Sequence, residues 1–253
     1  MKETTYTIIG FDVEKGVVYV IGCLCIHGFT GNPTEVEPLV NHLRKHTDWQ
    51  IAVPTLPGHG ESLKLKGISY NQWIEHAEKE LQELLRTCDT VYVVGFSMGG
   101  IIASYLAVHY PINKLILLSA AAYYVNPKQL AKDIAEMIKD TFKGRIKENE
   151  LYIRYSRKIK ETPIAATLQF RKLVASIRPM LNRVTIPTLI AQGESDGVVP
   201  PRSAQYLYET IGAPDKKLLF LKESKHLICH CNERDKLFHE VLDFLKANTL
   251  RRQ

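Results

Sequence analysis

Val91-Tyr92-Val93-Val94-Gly95-Phe96-Ser97-Met98-Gly99-Gly100-Ile101-Ile102 is the stretch on which the fold turns. It starts as an apolar, β-branched run. It ends where Ile101, Ile102, Tyr105 and Leu106 recur with helical spacing. Between the two lies Gly-x-Ser-x-Gly, which at a strand-to-helix junction predicts a sharp turn presenting its serine. Gly95 and Gly99 carry no Cβ, so a strand and a helix can meet closely there. The Ser97 hydroxyl would stand at the N-terminus of the next helix, whose dipole favours developing negative charge. A serine nucleophile needs that setting.

Working outward, further apolar runs of strand length alternate with helical ones. Strands are predicted at 22–26, 51–53, 91–94, 115–118, 188–191 and 218–221. Helices are predicted at 35–46, 71–86, 98–110, 202–211 and 232–245. Pro33 sits near the start of the first helix, where proline is favoured. This alternation predicts an α/β fold, with a mostly parallel central sheet and helices on both faces. The first twenty or so residues read as one or two extra antiparallel strands. Residues 122–181 break the alternation. Leu130, Ile134, Met137 and Ile138 share one helical face, and Leu151, Tyr152, Tyr155 and Ile159 another. Ile164, Leu168 and apolar residues towards Ile177 suggest a third. An insertion of that length is longer than core crossovers. It predicts a helical cap over the sheet's C-terminal edge, with 1–121 and 182–253 as the core.

The chain has 253 residues, 45% hydrophobic and 24% charged, which suits one large domain. Its +6 net charge is unevenly placed, with 14 Lys/Arg against 6 Asp/Glu between Asn126 and Arg183 and 19 against 21 elsewhere. Glu136, Asp140, Glu148 and Glu150 intersperse that basic stretch, so it reads as solvated helix faces. Without aromatic interleaving it gives no support to nucleic-acid binding. No run reaches the ~20 apolar residues of a membrane span, and no charged start precedes an apolar segment at the N-terminus. Five cysteines without framework spacing predict reduced thiols. A cytoplasmic protein, a monomer or homodimer without stable membrane insertion, is expected.

Serine needs a base, and the base an orienting carboxylate. In parallel α/β sheets such groups lie just beyond the strands' C-terminal ends. Asp196 follows the 188–191 strand, in Gly193-Glu194-Ser195-Asp196-Gly197. His226 follows the 218–221 strand. The order Ser97, Asp196, His226 is that of α/β-hydrolases. Glu194 is a weaker rival acid. The oxyanion donors are expected to be the Met98 N–H and, from the loop His27-Gly28-Phe29-Thr30-Gly31, the Phe29 N–H. The Phe29 ring would line the acyl side of the pocket. His27 and His59 read as loop-tying residues. Cys229-His230-Cys231 lacks metal-ligand spacing, and no metal or other cofactor is expected.

These residues resemble the α/β-hydrolase superfamily over nearly the whole chain. More narrowly they resemble bacterial carboxylesterases and monoacylglycerol lipases of the thermostable Geobacillus esterase type. The likeness lies in His27–Asn32, Gly58-His59-Gly60, Gly95–Gly100, Asp196 and Ser224-Lys225-His226. Lys225 departs from the glycine common there. The resemblance implies a cofactor-free serine hydrolase of short-to-medium-chain carboxylic esters, monoacylglycerols among them. It also implies Phe29 and Met98 in the oxyanion hole and a cap roofing an apolar pocket. Phe29, Met98, Met137 and Ile138 are the expected substrate-binding residues, and a small ester the expected partner. A thioesterase, C–C hydrolase or perhydrolase would use the same triad, and a ligand sensor could use the pocket without turnover.

Overall fold

The computed structural model describes residues 11–12, 17–123 and 162–247. Strand β1 (Phe11–Asp12) pairs antiparallel with β2 (Val17–Val18), as expected near the N-terminus. They form a ribbon of their own. Then come β3 (Ile21–Ile26), α1 (Glu37–His46), β4 (Gln50–Ala52), α2 (Tyr70–Thr87), β5 (Thr90–Phe96), α3 (Met98–His109) and β6 (Lys114–Leu118). After them come α4 (Ile164–Ile177), β7 (Thr188–Gly193), α5 (Arg202–Thr210), β8 (Lys216–Leu221) and α6 (Arg234–Lys246). The six strands β3–β8 form one sheet in the order β4-β3-β5-β6-β7-β8, every neighbouring pair parallel.

Every residue of β3, β6 and β7 is buried, and all of β5 but its first. Their sequences are therefore continuous apolar runs, as a doubly covered sheet requires. Successive side chains still go to opposite faces. Leu24, Ile26, Val91 and Val93 join the core shared with α2, α3, α4 and α5. Cys23, Cys25, Tyr92, Val94 and Phe96 join the core shared with α1 and α6. The chain leaves β3 towards β4 on one side and leaves β5 towards β6 on the other. The strand order thus reverses between β3 and β5, the place where open α/β sheets form a crevice.

Three features differ in detail from the sequence reading. The helix expected from residue 35 begins at Glu37, after a separate 3-10 turn over Pro33–Glu35. Pro38 explains the break, since it has no N–H for the Thr34 carbonyl and its ring would crowd that oxygen. Thr34 O is left to accept from His230 Nε2 at 2.9 Å. Second, α4 turns Ala166, Phe170, Leu173, Val174 and Ile177 inward. Ile164 and Leu168, expected on its buried face, are 75% and 45% exposed. The inward set keeps the three-and-four spacing of one stripe, and Ile164 and Leu168 fall off it. Third, α4 packs on α2 and α3 and shares their core. The expected cap helices before it, with Met137 and Ile138, lie outside the described residues.

Lys114, at the start of β6, is buried in this otherwise apolar layer. Its Nζ donates to Phe244 O at 2.8 Å, to Leu245 O at 3.0 Å and to Ala247 O. It thereby takes up carbonyls at the C-terminus of α6.

Candidate active site

Ser97 sits between β5 and α3 with φ 53° and ψ −114°. A non-glycine residue held there stores about 1–3 kcal/mol of strain. The neighbours enforce it. A Cβ on Gly95 would strike the Gly99 carbonyl, and one on Gly99 the Ile26 carbonyl. Ser97 O accepts from Ala121 N at 3.2 Å and Ser97 N donates to Leu118 O at 2.9 Å, so β6 braces the turn as well.

Ser97 Oγ lies 3.0 Å from His226 Nε2, and His226 Nδ1 lies 2.8 Å from Asp196 Oδ2. With Nδ1–H given to the carboxylate, Nε2 is left to accept the Ser97 proton. Each of the three residues is 6% exposed. Asp196 Oδ1 accepts from Val198 N at 2.8 Å and Val199 N at 2.9 Å. Glu194, the rival acid, is exposed. The His226 loop is tied on both sides. Ser224 O accepts from Ser195 N at 3.1 Å, and Lys225 N lies 3.2 Å from Cys231 Sγ. Glu233 Oε2 accepts from Glu223 N and Ser224 Oγ, each at 2.8 Å. Burial works to raise the Glu233 carboxyl, but those hydrogen bonds outweigh it and leave the group below its ordinary value.

The loop after β3 closes the other side. A Cβ on Gly28 would come within 3.1 Å of Ser97 Cβ, so the backbone here runs directly against the serine. His27 Nδ1–H donates to Gly28 O at 2.8 Å, and His27 Nε2 accepts from Leu56 N at 3.0 Å. His27 therefore ties the loop, as its place in the sequence suggested. Gly28 N donates to the buried Glu35 carboxylate at 2.8 Å, and Gly31 N to Gly28 O at 3.2 Å. The Phe29 and Met98 N–H groups have no acceptor among the described residues. The Phe29 ring stacks on Phe170 at 5.1 Å, with the edges of Trp73 and His59 at 5.9 and 6.1 Å.

Sequence reasoning missed Phe170, Glu35 and Gln192 in this neighbourhood. Phe170 is the single aromatic residue of α4, and Gln192 the polar residue that ends an apolar strand run. Phe170 was readable as an oddity, but nothing in the sequence says what Gln192 faces. Glu35 looked like an ordinary first-turn acid and carried no signal. The Cys229-His230-Cys231 run is occupied structurally. His230 bonds Thr34 O, and burial, partly opposed by that carbonyl, lowers its pKa. All five cysteines are free thiols. No helix among the described residues is long and apolar enough to cross a membrane.

Sheet order, strand-to-helix turn and strand-end residues together define the α/β-hydrolase fold. The family model described as serine aminopeptidase, S33 (Hydrolase_4) matches residues 21–235, and the chain belongs to this family of hydrolases. It is 29% identical over 243 residues to a thermostable monoacylglycerol lipase of Bacillus sp. strain H-257, covering 92% of each chain. It is 25% identical over 232 residues to a carboxylesterase of Bacillus subtilis strain 168, covering 88% of this chain and 91% of that one. A solved structure from work on the metagenome-derived lipolytic enzymes LipS and LipT superposes with a TM-score of 0.73. It shares 25% identity and covers 90% of this chain and 94% of its own.

Proposed function

We propose that the protein hydrolyses carboxylic esters through an acyl-enzyme on Ser97. His226 takes the Ser97 proton as Oγ attacks the ester carbonyl, and Asp196 stabilises the imidazolium that results. The Phe29 and Met98 N–H groups receive the oxyanion. His226 then protonates the departing alcohol. Water, activated by the same imidazole, releases the acid and restores Ser97. Carrying this reading is the hydrogen-bonded line from Asp196 Oδ2 through His226 to Ser97 Oγ, ending on a serine in a strained turn. The named activities of the lipase and carboxylesterase relatives favour an ester over other acyl compounds. We assign the acyl chain to the short-to-medium class, with monoacylglycerols among the substrates. We keep residues 122–181 as the cap, although its last helix, α4, packs on α2 and α3, and assign Met137 and Ile138 to substrate binding.

Ser97→Ala should lower kcat on p-nitrophenyl butyrate at least about a thousand-fold, with the far-UV spectrum unchanged. A fluorophosphonate should label the native chain once, at Ser97 by peptide mass. Full activity in the folded variant, or a label elsewhere, contradicts the assignment. The acyl series from acetate to laurate, below micelle-forming concentrations, tests the chain-length reading. Each buried methylene contributes about 0.8 kcal/mol, or roughly fourfold in kcat/KM, until the chain outgrows the site. A flat series would remove the cap from the account.

A further inference from the structure

Asp196 is gripped from behind by a residue with no part in the steps above. Gln192 is fully buried near the end of β7. Its Nε2 donates to Asp196 Oδ2 at 2.8 Å, with Val199 O at 3.1 Å and Gly193 O at 3.3 Å around the same nitrogen. Three oxygens round one nitrogen fix which way the amide faces, because the reversed amide would set Oε1 against all three. Asp196 Oδ2 is also the oxygen that accepts His226 Nδ1–H. The acid thus receives one bond from the base and one from Gln192 on a single atom, while Val198 N and Val199 N hold the other.

The far end of the amide is equally informative. Gln192 Oε1 is buried and has no hydrogen-bond partner among the described residues. In the ladder Leu118 lies opposite Ala191, and Ser119 N donates to Ala191 O at 2.8 Å, which brings Ser119 beside Gln192. Ser119 is fully buried with φ 44°, and its Oγ likewise has no partner among the described residues. Each buried polar atom left so is destabilising. A hydroxyl with a proton to give and a carbonyl with lone pairs to fill thus belong to residues at the same level of adjacent strands. One buried water could serve both.

We propose that Gln192 is the positioning residue for Asp196, and that Ser119, through one buried water, anchors the Gln192 carbonyl. This rests on the reading of Ser97 as nucleophile. Without the Gln192 N–H the carboxylate can turn about its own side chain, and a misplaced base costs up to about a hundred-fold in rate. The charge on Oδ2 is then also less neutralised, which favours the imidazolium over the neutral base.

Gln192→Met should therefore lower kcat about 10- to 100-fold on p-nitrophenyl butyrate with KM little changed. The acid limb of kcat/KM should move to higher pH. Gln192→Glu is the diagnostic variant. A protonated carboxyl can donate to Asp196 as the amide does, but an ionised one repels it. That variant should stay nearest the native rate where its carboxyl is protonated and fall further below it as pH rises. A residue that merely filled space would produce neither change. Ser119→Ala should lower kcat several-fold alone and not further in the Gln192→Met background, because the two act in one line. Folded Gln192→Met with native kcat and pH profile, or Gln192→Glu with a profile parallel to the native one, overturns the positioning role. Additive Ser119→Ala effects overturn the anchor. Ser97→Ala is assayed alongside: if it stays active, the nucleophile reading falls and this proposal with it. If it is dead while the Gln192 variants are unaffected, the positioning role alone falls.

Discussion

At the scale of single residues, two carboxylates two positions apart meet different surroundings. Asp196 is buried and accepts bonds from His226, Val198, Val199 and Gln192, whereas Glu194 points into solvent. The loop spends two backbone N–H groups on residue 196, so a carboxylate there is fixed before any substrate arrives. Asp196→Asn keeps a side chain that can bond His226 but reverses the tautomer and removes the charge. It should cost at least about a thousand-fold in kcat, and Glu194→Gln should cost almost nothing. Steady-state kinetics on one p-nitrophenyl ester decides the matter, and a larger loss at position 194 would reassign the acid. That Ser97, Asp196 and His226 come together was legible because each follows an apolar strand run. Gln192 was not, because nothing in one dimension says that a strand glutamine faces a carboxylate four residues on.

At the scale of elements, the inner strands were readable because burial on both faces leaves them no polar alternation. Their edges were less so: β8 alternates exposure along its length, and β4 is only partly covered. Helix α4 shows the opposite difficulty. It carries more apolar residues than one face can bury, and only packing on α2 and α3 decides that Phe170 goes in and Leu168 stays out. The segment joining β8 to α6 carries His226 and is stapled by Glu233, whose carboxyl lies below its usual 4.5. A group with a lowered folded pKa stabilises fully above its unfolded value, and that contribution is lost as pH falls through the folded one. The difference in urea midpoint between native protein and Glu233→Gln should hold steady above about pH 5.5 and shrink below pH 4.5. A gap that stays constant through that acid range would show that the staple does not depend on charge.

At the scale of the whole molecule, the proposed nucleophile, acid and base come from the ends of β5, β7 and β8, three of the six strands of one sheet. Every pairing in that sheet is parallel, so none can form by folding back on a short turn. Long-range pairing is slow, since loop entropy must be given up before the contacts reward it. Refolding from urea should therefore recover helical ellipticity before the chain regains reactivity towards a fluorophosphonate. Simultaneous recovery of both signals would contradict a site assembled last. The same arrangement makes the serine a census of its own population. A chain with β8 mispaired can look native in secondary structure yet lack an imidazole at residue 97, so titrating acylatable serines counts correctly threaded molecules and passes over the rest.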